Sequence, residues 1–381
     1  MASENRLFGL DVLRSLAIVL VLLSHGRHLL SKLVPELDNF FVLGYLGVEL
    51  FFVLSGFLIG GILLNVIKTS SDFYDIRNFW IRRWFRTLPN YYLFLAIEVL
   101  IAVFITNMDI LGKLWRYLTF TQTFIVPIRP TVFSVSWSLA VEEWFYLLMP
   151  VIFLLAAKST SNQLRACILV IGLGISLPLL VRVYFVITHD AAWGPDIRNA
   201  TVMRLDAIMY GFVGAVLFRY YRDHWEKWAL PLFVFGILIV FLNAAYVQTA
   251  DIHSDWYART LQFSVVPFGF LCILPLSRHI SAPPYLLSVI TKISVWSYSL
   301  YLCHMLVLRC ALSGKSIADR MFSTLTTEKS WLLTFQWASS VGAFLAFIAV
   351  SLLVSAFVYK HFEVPMMKQR DRISRKEQHA A

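Results

Sequence analysis

Long apolar segments recur along the whole chain, and they constrain its fold more than any other feature. A membrane span needs about 20 mostly apolar residues, and ten segments reach that length, several with one or two ionisable interruptions. Backbone groups in lipid must satisfy their own hydrogen bonds, which favours helices. The sequence therefore predicts an all-α, polytopic transmembrane helical bundle of about ten spans, near residues 7–30, 41–66, 89–106, 137–157, 164–187, 199–218, 229–248, 260–276, 285–308 and 332–358.

Composition excludes an ordinary soluble domain. Of the 381 residues, 59% are hydrophobic and 15% are charged, and the mean hydropathy is +0.69. Soluble globular proteins are nearer 45–50% apolar and about 25% charged. We expect one transmembrane domain over residues 1–365, and a basic tail over residues 366–381 that is polar and disordered.

The net charge of +10 is explained by the distribution of lysines and arginines between the two sides of the membrane. With ten spans both termini lie on one side, and that side carries most of the lysines and arginines, which marks it as cytoplasmic. No basic patch with interleaved exposed aromatics suggests a nucleic-acid partner. The four cysteines fit no metal-binding spacing, so we predict buried thiols and no metal at Cys167, Cys272, Cys303 and Cys310.

Ionisable residues inside the spans are the best functional candidates. Each costs at least about 2.5–3.5 kcal/mol at membrane depth, so such groups usually face a partner or a cavity. Structural ion pairing that fixes helix register could account for Glu98, Arg182 and Lys292, but it is a poor account of the whole set. That set is Asp11, Arg14, His25, Glu49, Glu98, Glu142, Glu143, Arg182, Arg204, Asp206, Lys292 and His304.

The first span places three of these groups on one stripe. Arg14 and His25 are about three helical turns apart, and Asp11 lies one turn before Arg14. A carboxylate, a guanidinium and an imidazole thus follow one another over about 21 Å. The alternative for His25 is a hydrogen bond to a neighbouring helix without a chemical role.

The predicted depths of these residues suggest a site open to both faces of the membrane. One group falls in the outer half of the bilayer, and a second lies at or toward the cytoplasmic side. This pattern alone does not separate an enzyme from an ion-coupled transporter of a small solute or acyl-sugar. The outer group is His25, Glu142, Glu143, Arg204, Asp206 and His304, and the inner group is Asp11, Arg14, Arg82, Arg83 and Arg86.

Seven sequence blocks, in order, resemble those of the membrane acyltransferase-3 family. They begin with an arginine and a histidine separated by ten residues, and end with a Glu-x-Pro. The resemblance covers residues 10–365. The blocks are LDVLRSLAIVLVLLSHG from residue 10, GYLGVELFFVLSGFLIG from 44, RRWFRTLPNYY from 82, SWSLAVEEWFYLLMP from 136, RLDAIMYGFVGA from 204, SVWSYSLYLCH from 294, and Glu363 with Pro365.

The resemblance implies an O-acyltransferase of a bacterial cytoplasmic (inner) membrane. Its co-substrate would be cytoplasmic acyl-coenzyme A, in the simplest case acetyl-coenzyme A, without a metal. The acceptor would be a hydroxyl of a carbohydrate or lipid-linked saccharide, met in contact with membrane lipid. Some members carry an added extracytoplasmic hydrolase-like domain, and no such segment is evident here. Both direct acylation and transfer through a separate protein therefore remain open.

The resemblance also suggests a role for each residue. His25 would be the general base, since an imidazole titrates near neutral pH. Arg14 would hold or polarise the acyl donor, and Asp11 would orient Arg14. The remaining expectations concern three groups of residues. Arg82, Arg83 and Arg86 would bind the coenzyme phosphates or only anchor topology; Glu142 or Glu143, with His304, would orient His25 or bind the acceptor; and Tyr298, Tyr301, Arg204 and Asp206 would bind substrate, although the tyrosines could equally be core packing.

Overall fold

Helices account for the architecture throughout the part of the chain that the structure describes. A computed structural model describes residues 7–69, 73–105, 110–129, 131–160, 162–277, 279–281, 283–325 and 328–370. No strand occurs within those ranges. The predicted all-α transmembrane bundle is therefore confirmed.

The helices follow the predicted apolar segments, except that the helix over segment 89–106 begins at Phe73 and the helix over segment 285–308 continues to Leu325. Short helices occupy some of the connections between the long ones. In chain order they are α1 Phe8–Gly26, α2 Phe41–Thr69, α3 Phe73–Phe104, α4 Leu114–Leu118, α5 Ser136–Ser159, α6 Gln163–Thr188, α7 Leu205–Tyr220, α8 Arg222–Lys227, α9 Ala229–Thr249, α10 Trp256–Arg259, α11 Gln262–Ser277, α12 Pro284–Leu325 and α13 Lys329–Val358.

Eight helices among the described residues are long and apolar enough to cross a membrane. The other two predicted spans, 199–218 and 260–276, correspond to α7 and α11. Each of these has only 16 residues, which is short for a span of about 20. The count of ten spans and the cytoplasmic location of both termini stay predictions.

The basic segment before the third span differs from the sequence interpretation. We expected a connection over residues 67–88, but α3 begins at Phe73 and continues through the arginines into the span. Pro89 lies inside this helix. Because a helix turns once every 3.6 residues, helical structure fixes the direction in which each arginine points.

Close backbone approach joins α2 to α7. A Cβ atom added to Gly56 would lie 1.9 Å from the carbonyl oxygen of Ile208, and one added to Gly211 would lie 2.0 Å from that of Val53. Small residues at such crossings let helices pack by van der Waals contact, which replaces the hydrophobic effect inside a bilayer. Any side chain at either position would force the two helices apart.

Buried ion pairs connect the helices around this crossing. Arg182 on α6 donates two hydrogen bonds to Asp206 on α7, at 2.8 and 3.2 Å, and a further one to Ser264 on α11. Arg204 pairs with Glu49 on α2. All four charged side chains are fully buried. They hold helix positions, and none of the four lines a cavity described below.

Glu98 and Lys292, which were also expected to form structural ion pairs, have different surroundings. Glu98 on α3 pairs with Arg309 on α12, whereas Lys292 is exposed. Beyond α13, a π-helical turn runs from Tyr359 to Glu363, and helix continues to Arg370. The first part of the predicted 366–381 tail is thus helical, and residues 371–381 lie outside the described residues.

Candidate active site

A small polar cavity lies within the bundle, bounded by α1, α2, α3, α5 and α12. Its volume is about 70 Å³, enough for a few water molecules. Aromatic and charged side chains both line it. The polar lining consists of Arg14, Ser55, Arg83, Arg86, Thr87, Ser138, Glu142, Ser297, Tyr298 and Tyr301.

Arg14 and Arg86 face this cavity without a protein partner. Across the described ranges, neither guanidinium has a hydrogen bond or an ion pair. The charges of Asp11 and Glu363 act on them from a distance. A guanidinium offers five donors, so two that point into one small space make an anion site.

Glu142 is held by three helices. Its Oε1 accepts a hydrogen bond from Ser55 on α2 at 3.1 Å, and its Oε2 accepts one from Tyr146 on α5 at 2.7 Å. Arg83 on α3 donates to both Glu142, at 3.4 Å, and the Tyr146 hydroxyl, at 2.6 Å. Its guanidinium also lies 4.1 Å from the centre of the Tyr146 ring. Arg83 is therefore committed to protein partners, in contrast to Arg86.

The two adjacent glutamates of α5 diverge. Glu142 lines the cavity, whereas Glu143 lines a separate groove between α3 and α5. Sequence alone left open which of them belongs to the site. Their divergence follows from the helix, because successive residues point about 100° apart.

Two histidines meet near the C-terminal end of α1. The Nδ1 atom of His25 lies 3.0 Å from Nε2 of His304 on α12, and their rings are stacked with centroids 5.0 Å apart. The Nδ1 atom of His304 lies 2.7 Å from the carbonyl oxygen of Tyr301. Both histidines were predicted to act together, and this contact brings them together.

The hydrogen bonds assign the proton positions in this pair. A carbonyl oxygen only accepts, so Nδ1 of His304 carries the hydrogen that is donated to Tyr301. In the neutral ring Nε2 of His304 is then an acceptor, and His25 must donate to it from Nδ1. Nε2 of His25 is left with a lone pair, which is the state that a general base requires.

Tyr301 joins the histidine pair to the cavity. Its carbonyl oxygen binds His304, while its side chain lines the cavity and its hydroxyl lies 2.7 Å from that of Ser138. The hydroxyl of Tyr298 also lies at the cavity, and it donates to the carbonyl oxygen of Thr87 at 2.8 Å. Both tyrosines therefore border the site that was predicted from sequence.

Two larger cavities share lining residues with the small one. One has a volume of about 410 Å³ and is lined by Asp11, Arg14, Arg86 and Glu363. The other, of about 480 Å³, is lined by several arginines. Arg86 borders all three spaces. The arginines of the second cavity are Arg82, Arg83, Arg86 and Arg370.

The remaining predicted residues lie apart from the cavity. Asp11 accepts a hydrogen bond from Ser294 on α12 at 2.6 Å, and its expected pairing with Arg14 stays a prediction. Arg204 and Asp206 are held by the buried ion pairs described above. Neither of them lines the cavity. Their predicted contact with substrate has no geometric support here.

Sequence reasoning missed Arg198 altogether. This residue ends a π-helical turn between α6 and α7. Its guanidinium lies 4.9 to 5.9 Å from the ring centres of Tyr45, Trp137 and Trp193. Burial lowers the pKa of Arg198, and its charge reaches both Tyr301 and His25. The available signal was weak, since the three rings come from three distant segments.

Glu363 also occupies a position that the site depends on. It lies at the end of the π-helical turn after α13, and its Oε2 accepts hydrogen bonds from Asn90 at 3.0 Å and Ser299 at 2.8 Å. It thereby joins α3 and α12 beside Arg86. The Glu-x-Pro block was noted in the sequence, but no role followed from it. Among the described residues, no cluster of three or more metal-ligating side chains occurs.

Comparisons with known proteins agree with this geometry. The model of the acyltransferase-3 family, described as an acyltransferase domain, matches residues 7–360. O-acetyltransferase OatA of Staphylococcus aureus is 29% identical over 337 residues, which is 80% of this chain and 51% of that protein. Peptidoglycan O-acetyltransferase OatA of Listeria monocytogenes is 30% identical over 207 residues, 50% of this chain and 31% of that protein. The chain thus spans about half the length of the first relative and less of the second. No solved structure matches it.

Proposed function

The chain belongs to the acyltransferase-3 family, and we propose that it is a membrane O-acyltransferase. It moves an acetyl group from cytoplasmic acetyl-coenzyme A to a hydroxyl of a carbohydrate or lipid-linked saccharide. Relatives named as O-acetyltransferases support this acyl group. The protein is an integral membrane protein, and we place it in a bacterial cytoplasmic membrane.

One observation carries the proposal: Arg14 and Arg86 face a small enclosed cavity with no protein partner for their charge. Unpaired guanidiniums at membrane depth are costly unless a ligand satisfies them. A thioester carbonyl becomes negatively charged when it is attacked, and donors that face this charge lower the barrier. The cavity has room for an acetyl group but not for a coenzyme.

The coenzyme body would therefore occupy the two larger cavities that share Arg86. Arg82, Arg83 and Arg370 line one of them, and phosphate groups are what guanidiniums bind best. Arg83 also holds Glu142 and Tyr146, so we assign Arg82 and Arg86 the larger share of phosphate binding. Topological anchoring by the same positive charges is compatible with this role.

His25 serves as the general base in this proposal. Its Nε2 takes the proton of the acceptor hydroxyl as the oxygen attacks the thioester carbonyl. The tetrahedral intermediate then collapses with loss of the coenzyme thiolate, which recovers the proton from His25. His304 acts through its hydrogen bond, fixing the His25 tautomer and stabilising the imidazolium, as an orienting partner does for a catalytic histidine.

The remaining residues support these two groups. Glu142 and Tyr301 shape the cavity, while Asp11 supplies a nearby negative charge that orients Arg14. Contact of the substrate with Tyr298 is proposed on the same grounds. We assign Arg204 and Asp206 a structural role, because their side chains are consumed by buried ion pairs.

A transfer assay tests the proposal directly. Purified protein in lipid nanodiscs would receive acetyl-coenzyme A labelled in the acetyl group, and loss of label from the coenzyme would be followed with saccharide present. We expect His25→Ala to lose at least about 10²-fold in rate, the usual scale for a general base. His28→Ala is the matched control, since that histidine is exposed and only three residues away.

Two results would contradict the proposal. One is a His25→Ala rate within a few-fold of the His28→Ala rate at equal membrane abundance. The other is solute flux into liposomes that contain the protein, without any consumption of acetyl-coenzyme A. That result would favour an ion-coupled transporter.

A further inference from the structure

A second cavity lies on the side of the bundle, away from the acyl-transfer site. It is a groove of about 470 Å³ between α3, α5 and the segment 114–121. Aromatic rings dominate its surface, and no lysine or arginine is among the described residues that line it. The rings are those of Trp84, Tyr92, Trp115, Phe120 and Trp144.

The wall formed by segment 114–121 is fixed in place by the helices. The hydroxyls of Tyr91 and Tyr92 donate to the carbonyl oxygens of Tyr117 and Leu118 at 2.9 and 3.0 Å. The indole N–H of Trp144 donates to the carbonyl oxygen of Phe120, also at 3.0 Å. These hydrogen bonds hold the segment against α3 and α5. Phe120 has a φ of 57°, a conformation that persists only where its surroundings enforce it.

One carboxylate faces this aromatic surface. Glu143 is 7% exposed, and the side chains of Thr87 and Trp84 act on it as hydrogen-bond donors. Its Oε2 is nevertheless buried with no hydrogen-bond partner among the described residues. A buried oxygen without a donor is costly, and an intramembrane acid is a functional candidate. Because Glu143 lines the groove, a ligand there could add a donor to this carboxylate.

The mouth of the groove opens toward the bilayer. On α3, exposed residues follow at four-residue spacing from Tyr92 through Ala96 to Leu100. On α5, Leu148 and Ile152 form a similar exposed stripe. Exposed apolar stripes of this kind on spanning helices face lipid. A ligand of the groove would consequently arrive from within the membrane.

We propose that this groove binds the sugar headgroup of a glycolipid. The apolar faces of a sugar ring pack against aromatic rings, and its hydroxyls donate to a carboxylate, so one headgroup satisfies both surfaces of the groove. Thr119 and Thr121, whose hydroxyls lie 2.9 Å apart at the rim, add further polar contacts. An alkyl chain would offer Glu143 no hydrogen-bond donor. A phospholipid headgroup would bring a phosphate beside Glu143, in a groove that no described lysine or arginine lines.

The inference concerns binding and is separate from acyl transfer. A direct test uses protein in phosphatidylglycerol nanodiscs and tritiated octyl glucoside below its micellar concentration, with no acyl donor present. We expect saturable binding that octyl glucoside displaces better than octanol, octylphosphocholine or octyltrimethylammonium do. Equal or better displacement by any of these three would overturn the sugar assignment, and absence of saturable binding would overturn the site.

Two variants connect the binding to the groove. Glu143→Gln should weaken it at least about tenfold, because a hydrogen bond to a charged acceptor becomes one to a neutral amide. Trp115→Ala should weaken it several-fold. That ring is 59% exposed, so its loss spares the fold, and Trp331→Ala, at 60% exposure, is the matched control. Wild-type binding in both Trp115→Ala and Glu143→Gln would contradict the proposal.

Discussion

Arginines in two regions of this bundle are treated in opposite ways. In what we call the paired cluster, Arg182 and Arg204 are fully buried against Asp206 and Glu49. At the cavity, Arg14 and Arg86 have no hydrogen-bond or ion-pair partner among the described residues. We call these two the cavity arginines. The difference shows two uses of charge inside a helical bundle. Paired charges hold helices together, whereas unpaired charges are available to bind a ligand.

The largest effect should come from breaking the paired cluster. Arg182→Met leaves Asp206 buried without its partner, and removal of one member of a buried pair typically costs about 3–5 kcal/mol. Thermal unfolding in nanodiscs would measure the loss. Arg222→Met is the control, because its pairing with Glu226 is exposed, and such pairs contribute about 0–1 kcal/mol. Equal stability of the two variants would break the comparison.

The cavity arginines should respond in the opposite sense. Arg14→Gln and Arg86→Gln remove an unpaired charge, so we expect the midpoint of thermal unfolding to stay level or rise. The KM for acetyl-coenzyme A should increase about 10- to 100-fold, since hydrogen bonds to charged groups contribute about 1.5–3 kcal/mol each. Initial rates against donor concentration would measure it. A large fall in stability with unchanged KM would place these arginines with the paired cluster.

Lysine substitutions distinguish the roles of the three neighbouring arginines of α3. Arg86→Lys keeps the charge but loses the planar fork, and should raise the donor KM several-fold with kcat less affected. Arg83→Lys should instead lower stability, because Arg83 holds Glu142 and Tyr146. Arg82 is exposed but lines the same cavity, so Arg82→Lys should raise the donor KM as well, by less than Arg86→Lys does. The ranking of the three KM values is the measurement, and an identical response at all three would leave only a topological role.

Salt should have the smallest effect. Raising ionic strength from about 0.1 to 1 M shortens the Debye length from about 10 to 3 Å. The KM for the acyl donor should rise modestly, because salt screens the arginines nearest the aqueous phase. The midpoint of thermal unfolding should barely change, because the paired cluster is buried. Titration of both quantities in one buffer series would check this. A salt-sensitive unfolding midpoint would show that the paired cluster is less sealed than its burial implies.

Apolar runs were sufficient to locate the helices, because length and hydropathy alone decide what can span a bilayer. They were not sufficient for α3, which extends back through a charged segment to Phe73. Arginines are good helix formers, and the segment gains packing from Trp80 and Trp84, whose rings stack 5.9 Å apart. A hydropathy criterion does not register either contribution.

Candidate residues were easier to find than their partners. Arg14, His25 and His304 stood out because charge and imidazole are rare in apolar helices. Which charges pair depends on how helices are rotated against one another, and neighbouring residues differ by about 100°. The Glu49–Arg204 contact could not be deduced for this reason. Arg198 escaped notice because it lies in an irregular segment outside the spans.

Glu142 and Glu143 carry a consequence for how this gene can vary. Two adjacent codons specify the same amino acid, yet selection acts on them through unrelated contacts. At position 142 even Glu→Asp shortens the reach needed to meet Ser55, Arg83 and Tyr146 together. At position 143 the side chain lines the groove, beside Trp84 and Thr87. Among homologous genes, we expect the codon for residue 142 to be conserved. The codon for residue 143 should vary with the lipid composition of the membrane in each organism.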